Sequence, residues 1–436
     1  MYGVILLLIT TSIDATGNRR DSAGGWPEGS KMEINGARLI DNIRTPGTLG
    51  INETGRSRLA ASDEDKAGRD YVKGLFEEAG LEVVVDRIGN LYGIWRPEGC
   101  PDVDPVMTGS HIDSVINAGQ YDGDLGVLSG LEVIRTLQEA GFRPSRPIVV
   151  VAFTNEEGVR YQPDMMGSLV YAGGQPLDEA LDSIGTDGTR LGDELARIGY
   201  AGTIDPGDIK PATFVELHIE QGPILDVEGT QIGVVESLQG IHWKRITFHG
   251  AQNHAGTTPT SMRRDAGLAA AKVNVREREH ALANDKFLCT VGTIALEPNA
   301  VNVIPDKATF TVDLRSPVKE TLDSEDAGLE EYLLQVAEQE GLTVESEQLT
   351  CFDPVPFDEG VCQRIEASCE ARGLSHRRIT SGAGQDAQMM ARICPTAMIF
   401  VPSVNGISHN PEEYSRDEDC VNGANVLLDV LVSLSE

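Results

Sequence analysis

His111 and Asp113 stand two apart in GSHIDS (109–114), and Asp122 follows among glycines in GQYDGDLGV. Glu156 and Glu157 close the apolar run VVVAFTNEEG. Much further along come His218 in ELHIEQGPIL and His409 in GISHNPEE. Each is a hard or borderline donor beside small or turn-forming residues. Together they offer five ligands and a spare carboxylate, enough for two metal ions and a general base. That combination points to metal-assisted hydrolysis.

The spacing gives each motif a reason. In an extended stretch His111 and Asp113 share one face, so the imidazole can bind metal while the carboxylate orients a neighbouring group. Asp122 sits at a helix start, where an Asp is ordinarily a cap. Its flanking glycines, Gly119, Gly123 and Gly126, allow close backbone approach, and its two oxygens can bridge two cations. Adjacent acids at 156 and 157 would repel each other if both were ionised. Metal charge relieves one of them and a proton-accepting role uses the other. His218 follows an apolar stretch, and Gln221 in the same loop can face a substrate. His409 lies in a polar loop and takes its weight from the other donors.

Other polar groups could hold the substrate. His254 in GAQNHAGTTP is a candidate donor, and Asn302 in NAVNVIP and Arg315 in DLRS stand at strand ends. Arginine can grip a carboxylate through two parallel hydrogen bonds. The small-residue loop SGAGQDAQ (381–388), which includes Gly384, could hold an anion on its backbone N–H groups.

The elements that must position these residues alternate in type from about 32 to 240. EDKAGRDYVKGLFEEAG (64–80) is a helix, and LEVVVDRIGNLYGIW (81–95) is a hairpin turned at Gly89–Asn90. DPVMTGSH (104–111) is a short strand, 124–141 a helix, and RPIVVVAFTNEEG (146–158) a buried strand with the Glu pair at its end. Ligands at the carboxyl ends of strands are expected of an open α/β sheet. A second unit over 241–352 reads strand, helix (261–282), strand, strand, helix opened by a Ser324 cap, strand. That is a ferredoxin-like plan. It is inserted into a catalytic domain of 32–240 and 353–436, because 395–403 and 421–434 return to the α/β style. Residues 1–31 read as a disordered N-terminal extension. Their apolar stretch YGVILLLI is too short to span a bilayer and no Lys or Arg precedes it.

The 436 residues suggest two domains, and 40% hydrophobic content suggests a packed fold. A formal charge of −32 makes nucleic acid and anionic membranes poor partners. Of the 36 basic residues 9 are Lys, leaving 27 Arg. Such acidic, Lys-poor chains resemble those of salt-loving microbes, whose self-repulsion is screened at high salt. Seven scattered Cys (100, 289, 351, 362, 369, 394, 420) suggest free thiols in a reducing cytoplasm, with no evident zinc ligand or nucleophile.

GSHIDSV, YDGDLGV, FTNEEGVRY, HIEQGPILD, NHAGTTP, SGAGQDA and SHNPEE stand in the order of the metallopeptidase-like amidases. Over residues 32 to 436 the chain resembles their hydantoinase/carbamoylase branch. That branch comprises N-carbamoyl-L-amino acid hydrolases, allantoate amidohydrolases and β-ureidopropionases. The resemblance implies a mixed-sheet α/β catalytic domain with a dinuclear metal centre, and an inserted lid domain that dimerises. It implies that His111, Asp122, Glu157, His218 and His409 bind two divalent ions, zinc foremost, with manganese and cobalt as alternatives. Asp122 would bridge them, Glu156 would be the general base, and Asp113 would support His111. His218 in the fourth-ligand position is similar to the carbamoylases rather than the peptidases. Gln221, His254, Asn302, Arg315 and Gly384 would hold a ureido substrate. The implied reaction releases ammonia and carbon dioxide from an N-carbamoyl-L-amino acid. Allantoate is the alternative substrate. Aminoacylase or aminopeptidase activity, or a non-catalytic binding role, are further ones. Gln385 stands where the relatives usually carry His, which bears on the substrate loop.

Overall fold

The computed structural model describes residues 31–436, so the expected extension lies outside them except for Lys31. Among the described residues the strands of four or more residues are β1 (Glu82–Val85), β2 (Leu91–Trp95), β3 (Val106–His111), β4 (Ile148–Phe153), β5 (Thr213–Ile219), β6 (Ile232–Leu238), β7 (Gly240–His249), β8 (Leu288–Glu297), β9 (Lys307–Ser316), β10 (Thr343–Phe352), β11 (His376–Ser381) and β12 (Thr396–Val401). The helices of 16 residues or more are α1 (Asp63–Glu78), α2 (Asp124–Glu139), α3 (Ala266–Ala283), α4 (Lys319–Glu340) and α5 (Asp417–Ser435). The fold is mixed α/β. It forms two compact units. One runs from the start of the described chain to Ile232 and adds Gln363–His376 and Met398–Glu436; the other is Gly233–Cys362 with Arg377–Ala397.

In the first unit the central strands are buried on both faces, as parallel strands in an α/β sheet must be; β4 is apolar throughout, whereas β3 and β5 also bury polar residues such as Ser110 and Glu216. Every residue of β3, β4 and β5 is buried. The neighbours run β12-β5-β3-β4-β2-β1. β3 is parallel to β4 and β5, while β2 is antiparallel to β4 and β1. The β1–β2 turn relies on Gly89 at φ +90°. α1 starts where Ser62 accepts the Asp65 N–H at 3.1 Å and three acids fill the first turn, favourable against the helix dipole.

In the second unit β8, β9, β7 and β10 form an antiparallel sheet in that order. In chain succession it reads β7-α3-β8-β9-α4-β10, with the first strand between the third and the fourth. Ile246, Phe248, Phe310 and Val312 pack with Val273, Leu329, Leu333 and Val336 of the helices to form its core. Two helix starts differ from expectation. α3 begins at Ala266, where Asp265 accepts the Leu268 N–H at 3.1 Å. α4 begins at Lys319 rather than at a Ser324 cap, because Leu322 is fully buried and draws an extra turn onto the sheet.

Candidate metal centre

Three parallel strands deliver the donors. His111 is the last residue of β3, His218 the penultimate residue of β5, and Glu156 and Glu157 follow β4. Asp122 stands just before α2, and His409 comes from the loop ahead of α5. Asp122 Oδ1 lies 3.4 Å from His111 Nε2 and 3.1 Å from His218 Nε2. Its Oδ2 lies 3.4 Å from His409 Nε2, which is also 3.4 Å from Glu157 Oε2. One carboxylate is therefore shared by two donor triads: His111, Asp122 and His218, and Asp122, Glu157 and His409. The ligand atoms of each triad lie within 4.8 Å of one another.

Backbone contacts fix the two buried rings. His111 Nδ1 is 3.0 Å from the Asp113 carbonyl and His218 Nδ1 is 2.9 Å from the Ile219 carbonyl. A carbonyl only accepts, so Nδ1 carries hydrogen and Nε2 is the ring atom that faces the cluster. His111 Nε2 is buried and makes no hydrogen bond. A buried polar atom left so is costly unless a ligand takes it up. Gly123 makes the approach possible. It has φ +71°, and a Cβ there would sit 2.6 Å from the His111 ring.

The electrostatics agree. Burial would push His111 down, but Glu156, Asp122 and Asp113 outweigh it and hold it well above the ordinary histidine range. For His218, burial is likewise overcome by Asp122. The hydrogen bond to Asp122, with Glu157 beside it, raises His409 to about 9 against its burial. Burial and then Asp122 push Glu157 up to about 8. Asp122 resists burial through its three imidazole partners and stays well below the usual carboxylate range. A cluster that draws protons onto its imidazoles has a demand for cationic charge. Divalent ions would meet it, and the oxygen and nitrogen donors suit zinc, manganese or cobalt. Only His409 is well exposed among the five, at 50% of its side chain, so it marks the open side.

Asp113 differs in detail from expectation. Its carboxylate is 3.9 Å from His111 Nδ1, and its main contacts are the N–H groups of Glu156 at 3.2 Å and Glu157 at 3.3 Å. β3 ends at His111, so the alternation assumed for 111 and 113 stops there. Asp113 thereby sets the backbone of the Glu pair. Glu156 Oε2 lies 3.5 Å from His111 Nε2, and Glu157 Oε1 accepts the Val115 N–H at 3.2 Å. Gln221 Nε2 donates to Asp122 Oδ2 at 2.9 Å and lies 3.3 Å from His409 Nε2, so its amide faces the donors.

Sequence reasoning passed over Glu413. It is buried, accepts from the N–H groups of Tyr121 at 3.0 Å and Asp122 at 3.2 Å, and takes the Ser408 hydroxyl at 3.0 Å. It anchors the Asp122 loop to the His409 loop. The adjacent acids Glu412–Glu413 were the available signal, the same one that marked 156–157.

The family model for peptidase family M20/M25/M40 matches residues 107–433. The chain belongs to this family. Among curated relatives, the N-carbamoyl-L-amino-acid amidohydrolase of Rhizobium meliloti is 40% identical over 94% of this chain and 98% of its own length. The ureidoglycolate hydrolase of Arabidopsis thaliana is 37% identical over 87% of this chain and 82% of its own. The allantoate amidohydrolase of Escherichia coli is 35% identical over 87% and 93%. A hydantoinase/carbamoylase family amidase from Burkholderia multivorans superposes with a TM-score of 0.90, at 43% identity, covering 93% of this chain and 98% of that one. This M20-family chain is an amidohydrolase, a hydrolase of carbon–nitrogen bonds other than peptide bonds.

Within the second unit of this amidohydrolase, the remaining predicted residues fall into two groups. The bridge Asn253–His254 to Val303–Ile304 puts His254 next to Asn302, whose carbonyl accepts the Ala255 N–H at 3.0 Å. His254 Nδ1 accepts from the N–H groups of Gly256 at 2.9 Å and Thr257 at 3.2 Å. Nε2 is then the exposed donor of this ring. Arg315 donates to Asp313 at 2.9–3.1 Å and to the Gly382 carbonyl at 2.9 Å, which ties it to the loop carrying Gly384. A substrate carboxylate would compete with Asp313 for this guanidinium.

Proposed function

We propose that the protein hydrolyses the ureido C–N bond of an N-carbamoyl-L-amino acid, giving the amino acid, ammonia and carbon dioxide, with two divalent ions, zinc foremost, held by the five donors. The observation that carries this reading is the shared carboxylate. Asp122 offers one oxygen to each of two donor triads, and Glu156, which also lies close enough to His111 and Glu157 to share an ion with them, is assigned to the base. When bound, the ions supply Lewis acidity toward water and the ureido carbonyl. Glu156 takes the proton of the attacking water and returns it to the leaving nitrogen. The exposed Nε2–H of His254 and the amide of Asn302 are assigned to the oxyanion. Each donor of that kind is worth roughly 3–4 kcal/mol in the transition state. Gln221, Arg315 and the Gly384 loop are assigned to the rest of the substrate, Arg315 to its carboxylate. The site works in a cytoplasmic homodimer. Seven free thiols support the compartment.

Allantoate and ureidoglycolate carry the same ureido group, and relatives at 35% and 37% identity bear those names. The 40% identity to an N-carbamoyl-amino-acid enzyme favours the first reading. The deciding measurement is ammonia release from N-carbamoyl-L- and D-amino acids, allantoate and ureidoglycolate, with zinc, manganese or cobalt, at low and high salt. Release confined to the L-carbamoyl compounds is the expected result. Turnover of allantoate or ureidoglycolate alone would overturn the substrate assignment but keep the chemistry.

A further inference from the structure

Away from the metal centre, the second unit holds a cysteine, a histidine and an aspartate in line. Cys351 Sγ lies 3.2 Å from His242 Nε2, and His242 Nδ1 lies 2.8 Å from Asp326 Oδ2. The backbone builds this arrangement. β10 pairs with β7, and a register shift between Gln348 and Thr350 places Cys351 opposite His242. Without the extra residue, Thr350 would stand there and the thiol would turn to the other face of the sheet. Asp326 comes from α4, where Lys244 of β7 contacts it and also reaches Glu330 at 2.5 Å. His242 is buried, which fixes its ring, whereas β10 is an edge strand and Cys351 is exposed. The other six cysteines are buried or half-buried. Burial pushes the thiols of Cys100, Cys289, Cys369 and Cys420 up, away from the reactive form.

We propose that Cys351, His242 and Asp326 form a reactive-thiol site that accepts a low-molecular-weight disulfide and becomes S-thiolated. The Sγ–H proton passes to His242 Nε2, and Asp326 stabilises the imidazolium through Nδ1–H. Sγ attacks one sulfur of the disulfide RS–SR. The Sγ–S bond forms, the S–S bond breaks, and RS⁻ leaves to take the proton from Nε2. The protein thiol is oxidised to a mixed disulfide, and half of the reagent is reduced to RSH.

A neutral reagent suits a chain of net charge −32, so the test uses 2,2′-dithiodipyridine on the intact folded protein, read by thiopyridone release. One thiol per chain should react in a fast phase, mapped to Cys351 by mass spectrometry. Its rate should exceed that of a synthetic peptide carrying residues 345–357 by about tenfold or more in the same buffer. Cys351→Ser should abolish the phase. His242→Gln and Asp326→Asn should slow it by about tenfold while the circular dichroism stays native. A folded protein that reacts no faster than the peptide overturns the proposal without any variant. So does a folded His242→Gln protein that keeps the wild-type rate.

Discussion

Glu156 is the residue on which chemistry and metal binding separate. Each donor triad around Asp122 already has three members without it, yet its carboxylate reaches to within 3.5 Å of His111 Nε2. Glu156→Gln keeps the size and removes the proton-accepting oxygen. It should retain two ions per chain by elemental analysis and lose about 10²–10⁴ in kcat. A metal-loaded variant with wild-type turnover would assign the base elsewhere. The candidate donors at 111, 156, 157 and 218 drew notice because they end strand-like runs, and Asp122 because glycines flank it, whereas His409 lies in a polar loop and had only the other donors to single it out. Asp113 and Glu413 were less so. The first acts through N–H groups three and four positions beyond β4, the second through those of the Asp122 loop. Such side chain–to–backbone contacts depend on where strands stop, which residue types alone do not reveal.

At the scale of elements, the β1–β2 turn does more than reverse the chain. Asn90 is fully buried; its Oδ1 accepts the Thr154 N–H at 2.9 Å, and its Nδ2 donates to Asp86 at 2.9 Å and to the Gly167 carbonyl at 3.2 Å. Thr154 is two residues before Glu156, so the turn clamps the end of the strand that carries the Glu pair. Asn90→Ala leaves those groups unpaired and should cost about 1–3 kcal/mol of stability. The melting temperature should fall, and kcat should fall more than KM rises. A variant as stable and as active as wild type would deny the clamp. The Gly–Asn pair predicted the turn from local preference. The clamp needed Thr154 and Gly167, distant in sequence, and no local pattern carries that. The starts of α3 and α4 show the same limit. A nearer Asp265 cap and the buried Leu322 set them, the latter through the core of its unit.

Across the whole molecule two surface features stand out, one apolar and one charged. Leu268, Val275 and Leu282 repeat every seven residues along α3 and are 44%, 58% and 78% exposed, on the side away from its buried Ala269 and Val273. The neighbouring edge strand β8 carries no charge from Leu288 to Leu296 and exposes Leu288 and Ile294. Long uncharged edges invite pairing with another strand. A second copy covering this face should give a homodimer by light scattering, and the double variant Val275→Glu with Leu282→Glu should be monomeric. A monomeric wild type would remove the idea. The charged feature works against folding in dilute buffer. With 68 acidic and 36 basic residues, the excess repels itself over distances longer than any one ion pair. Salt has two opposite effects here. It weakens exposed pairs such as Arg96–Asp102 and Arg190–Asp182, which solvent already screens. It also shortens the screening length from about 10 Å at ~0.1 M to about 3 Å at ~1 M, which removes most of the long-range repulsion. Thirty-two uncompensated charges should outweigh a set of weak pairs, so melting temperature and activity should both rise between ~0.1 M and ~1 M potassium chloride. A melting temperature that stays level or falls with added salt would show that the pairs dominate, and would remove the salt-loving character inferred from composition.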